Sequence, residues 1–205
     1  MTGVIALVGG GPFEANDDLD ARLLADHERV VVMPTADAFE GPEELLVAAE
    51  SWGARIGVAI EPLRVYTRHD ATAEAAAVID AATAVVLVGD SNIHLRSVLA
   101  GTPVFAAIEQ LVERGGTVMA VGASASGLCD PMTDRRGGGF AIGLGLVPGL
   151  AVITETESWP TEQLQRSHRL APTAVVDLPT GSALVRSADG WEQVGAAVVH
   201  GELPT

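Results

Sequence analysis

Residues 118–129 read VMAVGASASGLC, and this stretch decides how the rest of the chain is interpreted. An apolar run leads directly into a segment of glycine, alanine and serine, which predicts a buried strand that turns sharply into a helix with Ser124 at the apex. A nucleophile elbow needs small residues around its serine, because the backbone is strained there and the helix packs closely. The pattern fits an ordinary glycine-rich turn equally well, so both interpretations stay open at this point.

The chain upstream of this stretch alternates between predicted strands and helices. Short β-branched runs that end at glycine or proline predict strands buried in a parallel sheet, and apolar residues at helical spacing predict the helices between them. In such sheets functional sites lie beyond the carboxyl ends of the strands. The predicted strands are Val4–Val8, Arg29–Met33, 63–66, 84–88 and Thr117–Val121, and the predicted helices are 17–27, 43–52, 73–82 and 103–114.

The alternation becomes less regular after residue 129. Residues 135–139 predict a turn or flexible loop, and 159–168 predict a loop with a short helix. The predicted strands in this part are 150–153, 174–176, 182–185 and 193–199, the last three joined by turns in an antiparallel arrangement. We therefore predict one domain over residues 1–205, a three-layer α/β sandwich with a mostly parallel central sheet and an antiparallel C-terminal portion.

The composition indicates a compact α/β protein whose core consists of small branched side chains, with 48% hydrophobic residues, 4% aromatic residues and 23 glycines. The 12 basic and 27 acidic residues give a net charge of −15, which would repel a nucleic-acid backbone. We find neither a basic leader nor an apolar run near the roughly 18 to 20 residues of a membrane span, so we expect a cytoplasmic protein without a membrane partner. The single cysteine, Cys129, excludes an internal disulfide.

The five histidines lie in no recognisable metal motif, and we expect neither a metal nor a cofactor. His27 and His200 are predicted to be solvated, whereas His69 and His94 lie near the predicted functional edge of the sheet. The glycines at 9–11 also end a strand, but they lack the G-x-G-x-x-G spacing of a nucleotide-binding turn.

Several segments together resemble the serine peptidases that include cyanophycinase and the aspartyl dipeptidase peptidase E, whose fold is similar to class I glutamine amidotransferases. They are ALVGGGPF, RVVVMPTADA, AATAVVLVGDSNIHLRSVLAGTPV and GGTVMAVGASASGL, in the family's order. The resemblance implies that Ser124 is the nucleophile. It also implies that backbone groups around Gly89, Asp90, Ala125 and Gly10 form the oxyanion hole and the substrate site.

The chain departs from this family where the other catalytic residues would stand. Thr156 occupies the position of the catalytic histidine in GLGLVPGLAVITETES, and Leu178 replaces the acidic residue that supports it, although Asp177 before it matches. A serine without its base loses several orders of magnitude in rate. A replacement base would have to be His168, in RSHRL, or else His94 or Glu155.

Two functions follow as expectations from the resemblance. The first is a serine peptidase-like hydrolase acting on small, aspartate-containing peptides, and the alternative is a catalytically impaired member that binds a peptide or metabolite. Family members often form dimers, which makes a homodimer a further expectation. Glutamine amidotransferase chemistry is the weaker third reading, because Cys129 comes one helical turn too late to serve as the elbow nucleophile.

Overall fold

The computed structural model describes residues 3–205. Its first half alternates strands and helices: β1 (Val4–Val8), α1 (Asp17–Leu24), β2 (Arg29–Met33), α2 (Pro42–Ile56), β3 (Ala59–Pro62), α3 (Ala73–Asp80), β4 (Ala84–Leu87), α4 (Asn92–Leu99), α5 (Pro103–Glu113), β5 (Thr117–Val121) and α6 (Ala123–Leu128). The second half is rich in strands: β6 (Cys129–Asp130), β7 (Met132–Asp134), β8 (Gly139–Ala141), β9 (Val147–Pro148), β10 (Leu150–Thr154), α7 (Thr161–Leu170), β11 (Ala174–Leu178), β12 (Ala183–Ser187), β13 (Gly190–Val194) and β14 (Val198–His200).

The central sheet of the described chain has the strand order β13-β12-β1-β5-β4-β2-β3. The strands β1, β5, β4, β2 and β3 are parallel, whereas β12 runs antiparallel to β1 and β13 antiparallel to β12. The mostly parallel α/β sheet with an antiparallel portion from the end of the chain is therefore confirmed. All five parallel strands end at the same edge, where β4 leads to Gly89 and β5 leads to Gly122.

A second sheet, in the order β14-β11-β10-β6-β9, takes up much of the remaining chain, and β7 pairs with β8 as a separate hairpin. Strands β10 and β11 are parallel, with Ile153 opposite Asp177, and β14 is antiparallel to β11, with His200 opposite Val175. The second sheet packs against α6, and its apolar residues join the core on that face of the central sheet. The sequence pattern did not predict this separate sheet.

Alternating side chains of the central strands pack into two cores on opposite faces. In β1, Ile5 and Leu7 join the larger core with α3, α4 and α5, whereas Ala6 and Val8 join the core under α1 and α2. This alternation follows from the two-residue period of a strand that is buried on both faces. The result is a sheet between helical layers, as the sequence predicted.

Several predicted boundaries were wrong. Gly53 lies inside α2 rather than after it, and the helix ends at Gly57, whose φ of 82° is the left-handed conformation favoured at a helix end. The third strand is β3 rather than 63–66. The segment 159–168 holds most of the ten-residue helix α7, which continues to Leu170, and 193–199 spans parts of two strands in different sheets. Helix α4 was not predicted.

No single helix of the described chain combines the length and the apolar character that crossing a membrane requires, although α4 and α5, bent by 98°, pass the same test as a pair.

Candidate functional site

The turn after β5 has its strained residue, Gly122, at the apex. Gly122 has φ 63° and ψ −134°, and α6 begins at the next residue. In a nucleophile elbow the reactive residue itself occupies the strained position between strand and helix. Here that position lies two residues before Ser124, and the residue there has no side chain.

Ser124 lies in the first turn of α6 and is fully buried, with 0% of its surface exposed. Its Oγ donates to the carbonyl oxygen of Gly89 over 3.5 Å, the outer limit of a hydrogen bond. Because the hydroxyl is enclosed, this placement counts against Ser124 as the group that attacks a substrate.

The space at the apex is open. A Cβ atom added to Gly122 would lie 3.8 Å from Oδ1 of Asp90 and 4.0 Å from the carbonyl oxygen of Gly89, both ordinary contact distances. Gly122 therefore offers no nucleophile, although the turn has room for a side chain at this position.

Two of the predicted oxyanion donors, the amides of Asp90 and Ala125, are already engaged. The amide of Asp90 donates to Oδ1 of Asp37 over 2.6 Å, and the amide of Ala125 donates to the carbonyl oxygen of Gly122 over 3.0 Å. Burial raises the pKa of the Asp37 carboxyl, while the Asp90 hydrogen bond opposes this shift. Neither amide is free to hold a developing negative charge.

The two glycines predicted to bind substrate serve close packing. Gly89 has φ 119°, and a Cβ there would lie 2.5 Å from the amide nitrogen of Asp37. Gly10 is buried beside Glu155, whose Cγ would lie 2.7 Å from such an atom. Gly89 requires glycine, because a side chain there would collide with backbone at a left-handed φ. At Gly10 a side chain would displace the side chain of Glu155.

The candidate bases have other partners. His168 Nε2 lies 2.9 Å from Oδ1 of Asp177, and His94 Nε2 lies 2.8 Å from the carbonyl oxygen of Tyr66. Glu155 forms an ion pair with Arg135 over 3.1 Å. None of the hydrogen bonds of residues 3–205 joins an imidazole to Ser124.

The other replaced positions also lie close to the ends of strands. Thr156 begins a 3-10 turn directly after Glu155, which has the left-handed φ of 52°. Leu178 ends β11 and is fully buried. His69 is exposed.

The alternative of a cysteine nucleophile gains no support. Cys129 follows α6 and is fully buried, and that burial raises the pKa of its thiol.

A groove of about 340 Å³ lies beside the turn, between residues 90–93 and 134–136. A narrower recess of about 40 Å³ shares part of this lining and reaches Ala123 and Ser126. Acidic and basic side chains both line the groove, since Asp90 and Asp134 lie there with Arg135 and Arg136. We call the groove and the recess together the cleft.

Ser126 is the serine of α6 that lines the cleft. Its Oγ accepts hydrogen bonds from the amide of Thr133 over 3.0 Å and from Nδ2 of Asn92 over 3.3 Å. These donors draw electron density from the oxygen, whereas a nucleophile needs a base that accepts its proton. Ser126 is therefore held as a polar group of the cleft wall without being activated.

Sequence reasoning missed most of the cleft. Asn92, Thr133 and Trp159 line the recess together with Arg135, and the sequence had marked only a flexible loop around the arginine. The adjacent basic pair at 135 and 136 in a strongly acidic chain was the signal that could have drawn attention to this loop.

Comparison with solved structures shows similarity of fold over almost the whole chain. A crystal structure of a peptidase from an acI-B1 actinobacterium superposes with a TM-score of 0.85 at 23% sequence identity, covering 98% of this chain and 90% of that one. A candidate peptidase E from Listeria monocytogenes EGD-e superposes with a TM-score of 0.71 at 12% identity, covering 98% of this chain and 100% of that one. The chain therefore has a peptidase E-like fold.

No family model and no curated protein sequence matches the chain. At these identities the solved structures establish the fold, and the function must be argued from the site itself.

Proposed function

We propose that this protein is a binding protein built on a peptidase-like fold, with a short peptide or a similar zwitterionic molecule as its ligand. The observation that carries the proposal is Gly122, because a residue without a side chain stands where the elbow presents its nucleophile. This proposal favours the catalytically impaired alternative over the serine hydrolase.

The remaining chemistry of the site supports binding over turnover. Covalent acyl transfer needs a nucleophile, a base within hydrogen-bond reach and free donors for the oxyanion. Ser124 is enclosed, Ser126 accepts two hydrogen bonds, and the amides of Asp90 and Ala125 are already bonded.

The charges of the cleft match a ligand that carries both signs. The exposed carboxylate of Asp90 can receive an ammonium group, and Arg135 and Arg136 offer guanidinium groups that bind carboxylates in a bidentate manner. Arg135 forms an ion pair with Glu155 and donates to Oγ of Ser158, so a ligand carboxylate would compete with both side chains.

The experiment that tests this proposal combines a reactive probe with a binding assay. A serine-directed fluorophosphonate should leave the native protein unlabelled, and a panel of dipeptides that includes Asp-containing ones should remain uncleaved. At least one dipeptide should bind in isothermal titration calorimetry. Arg135→Ala should weaken that binding roughly 10- to 150-fold, since a charged hydrogen bond is worth about 1.5 to 3 kcal/mol.

The matched control is Arg166→Ala, which removes an exposed arginine outside the cleft and should leave binding unchanged. Labelling that disappears in Ser124→Ala or Ser126→Ala would contradict the proposal and support the hydrolase.

A further inference from the structure

Three residues outside the cleft lie together beside the last turn of α7. His168 stands in the last turn of that helix, Asp177 lies on β11, and His200 lies on β14. The Nε2 atoms of the two histidines lie 2.9 Å and 3.0 Å from different oxygens of the Asp177 carboxylate. We call this group the His168 cluster.

The fold places the three side chains on one face of the second sheet. His200 pairs with Val175, and Asp177 stands two residues further along β11, so both side chains point to the same side as Val175. Val175 packs in the small core that includes Trp159 and Leu164. Helix α7 covers this face and brings His168 down onto Asp177.

We propose that the His168 cluster is a binding site for a divalent transition-metal ion of the zinc type. Two imidazole nitrogens and one carboxylate oxygen form a ligand set that suits such ions, and zinc sites often use three protein ligands with water in the fourth position. The proposal does not depend on the function of the cleft.

The distances fit an ion with little rearrangement. Ligand atoms about 2.1 Å from a tetrahedral zinc ion lie about 3.4 Å from one another. All three ligand atoms already lie within 4.8 Å of one another. The carboxylate oxygen that binds the ion needs to move only a few tenths of an ångström away from the histidine nitrogen that it already contacts. The exposed side of His200 leaves room for water at the fourth position.

The electrostatics of the cluster also favour a cation. The two rings lie 4.2 Å apart between centroids, and both Nε2 atoms face the carboxylate of Asp177. A divalent ion bound by two neutral imidazoles would lie beside that negative charge. Each imidazole then carries its proton on Nδ1 and gives the Nε2 lone pair to the metal.

The test uses untagged full-length protein that has been stripped with a chelator and titrated with Zn²⁺. Calorimetry and elemental analysis should give one ion per chain, and the thermal midpoint should rise, because an ion that binds only the folded state stabilises it. In nuclear magnetic resonance spectra, the Nε2 signals of two imidazoles out of five should shift.

Loss of a residue that only orients a metal ligand weakens metal binding by roughly 10- to 100-fold. His168→Ala and His200→Ala remove the ligands themselves, so each should weaken zinc binding by more than that. His69→Ala, which removes an exposed histidine elsewhere, is the matched control and should bind like the native protein. If His168→Ala fails to fold, His200→Ala still decides, because that residue is exposed on the last described strand. Absence of binding by the native protein, or full binding by a folded His200→Ala variant, would overturn the proposal.

Discussion

The turn at Gly122 and the His168 cluster are opposite in kind. The turn has the strained backbone of a catalytic elbow and no reactive side chain, whereas the cluster has two imidazoles on a carboxylate and lies on another sheet. Neither region alone has the parts that acyl transfer requires. The difference teaches that a serine motif and a histidine in one sequence do not make a site unless the fold brings them together.

The two regions should also respond differently to substitution. The turn depends on main-chain conformation and close packing, so it should be sensitive to added atoms. The His168 cluster depends on side-chain donors and acceptors, so it should be sensitive to their removal.

The largest effect is expected where a Cβ atom meets backbone. Gly89→Ala should destabilise the fold by about 4 kcal/mol, because it adds strain at φ 119° to a collision 2.5 Å from the amide nitrogen of Asp37. Gly122→Ala should cost only about 1 to 2 kcal/mol, since its cost is backbone strain alone. Urea unfolding measures the loss of stability in both variants. Equal losses would show that a Cβ atom at Gly122 also collides with its surroundings.

Away from both regions, the buried carboxyl group of Asp20 should make the stability of the protein depend on pH. Burial raises the pKa of Asp20 from 3.8 to about 7, although the indole of Trp52 donates to its carboxylate over 3.0 Å. The native state holds this proton more tightly than the unfolded chain. The resulting stability is complete below pH 4 and is lost as the pH rises through 7.

Asp20→Asn should therefore stabilise the protein more at pH 8 than at pH 5.5, by about 2 kcal/mol. Chemical unfolding at the two pH values gives this difference. A gain that is the same at both would show that Asp20 does not hold its proton in the folded state.

The two serines of α6 should differ in how much they stabilise the fold, because Ser126 accepts two hydrogen bonds whereas Ser124 makes one long one. Ser126→Ala should cost about 1 to 2 kcal/mol, because Asn92 and the amide of Thr133 lose their acceptor. Ser124→Ala should cost less than about 1 kcal/mol, since it removes only a long bond to Gly89. Thermal unfolding measures the loss of stability in both variants. A larger loss in Ser124→Ala than in Ser126→Ala would contradict this ranking.

The smallest effect on stability is expected at the rim of the cleft. Arg135→Ala should change the free energy of unfolding by less than about 1 kcal/mol, because its ion pair with Glu155 is largely solvated. A larger loss of unfolding free energy in the same assay would mean that Arg135 serves to stabilise the fold rather than to bind a ligand.

The sequence predicted the parallel part of the fold well and the site poorly, and the reason is physical. Strands such as β1 and β5 are continuous, largely apolar runs buried on both faces, so their composition alone identifies them. Several strands of the second sheet, such as β6 and β14, are short or half-polar, and their pairing depends on contacts between distant segments.

The apex of the turn could not be fixed for a similar reason. Gly122 and Ser124 both stand among small residues, and only the backbone angles distinguish the strained position from the first turn of the helix. Likewise, nothing in the spacing of residues 168, 177 and 200 indicates that one carboxylate joins two histidines, because β14 returns to β11 from a distance.

The enclosed thiol of Cys129 has a practical consequence. As the chain's single cysteine is fully buried with its pKa raised, alkylating reagents should leave the native fold unmodified. A cysteine introduced at Ile93, an exposed residue of the groove, would then be the sole reactive thiol of the molecule. A fluorophore attached there would report the arrival of a ligand at the cleft without any background to subtract.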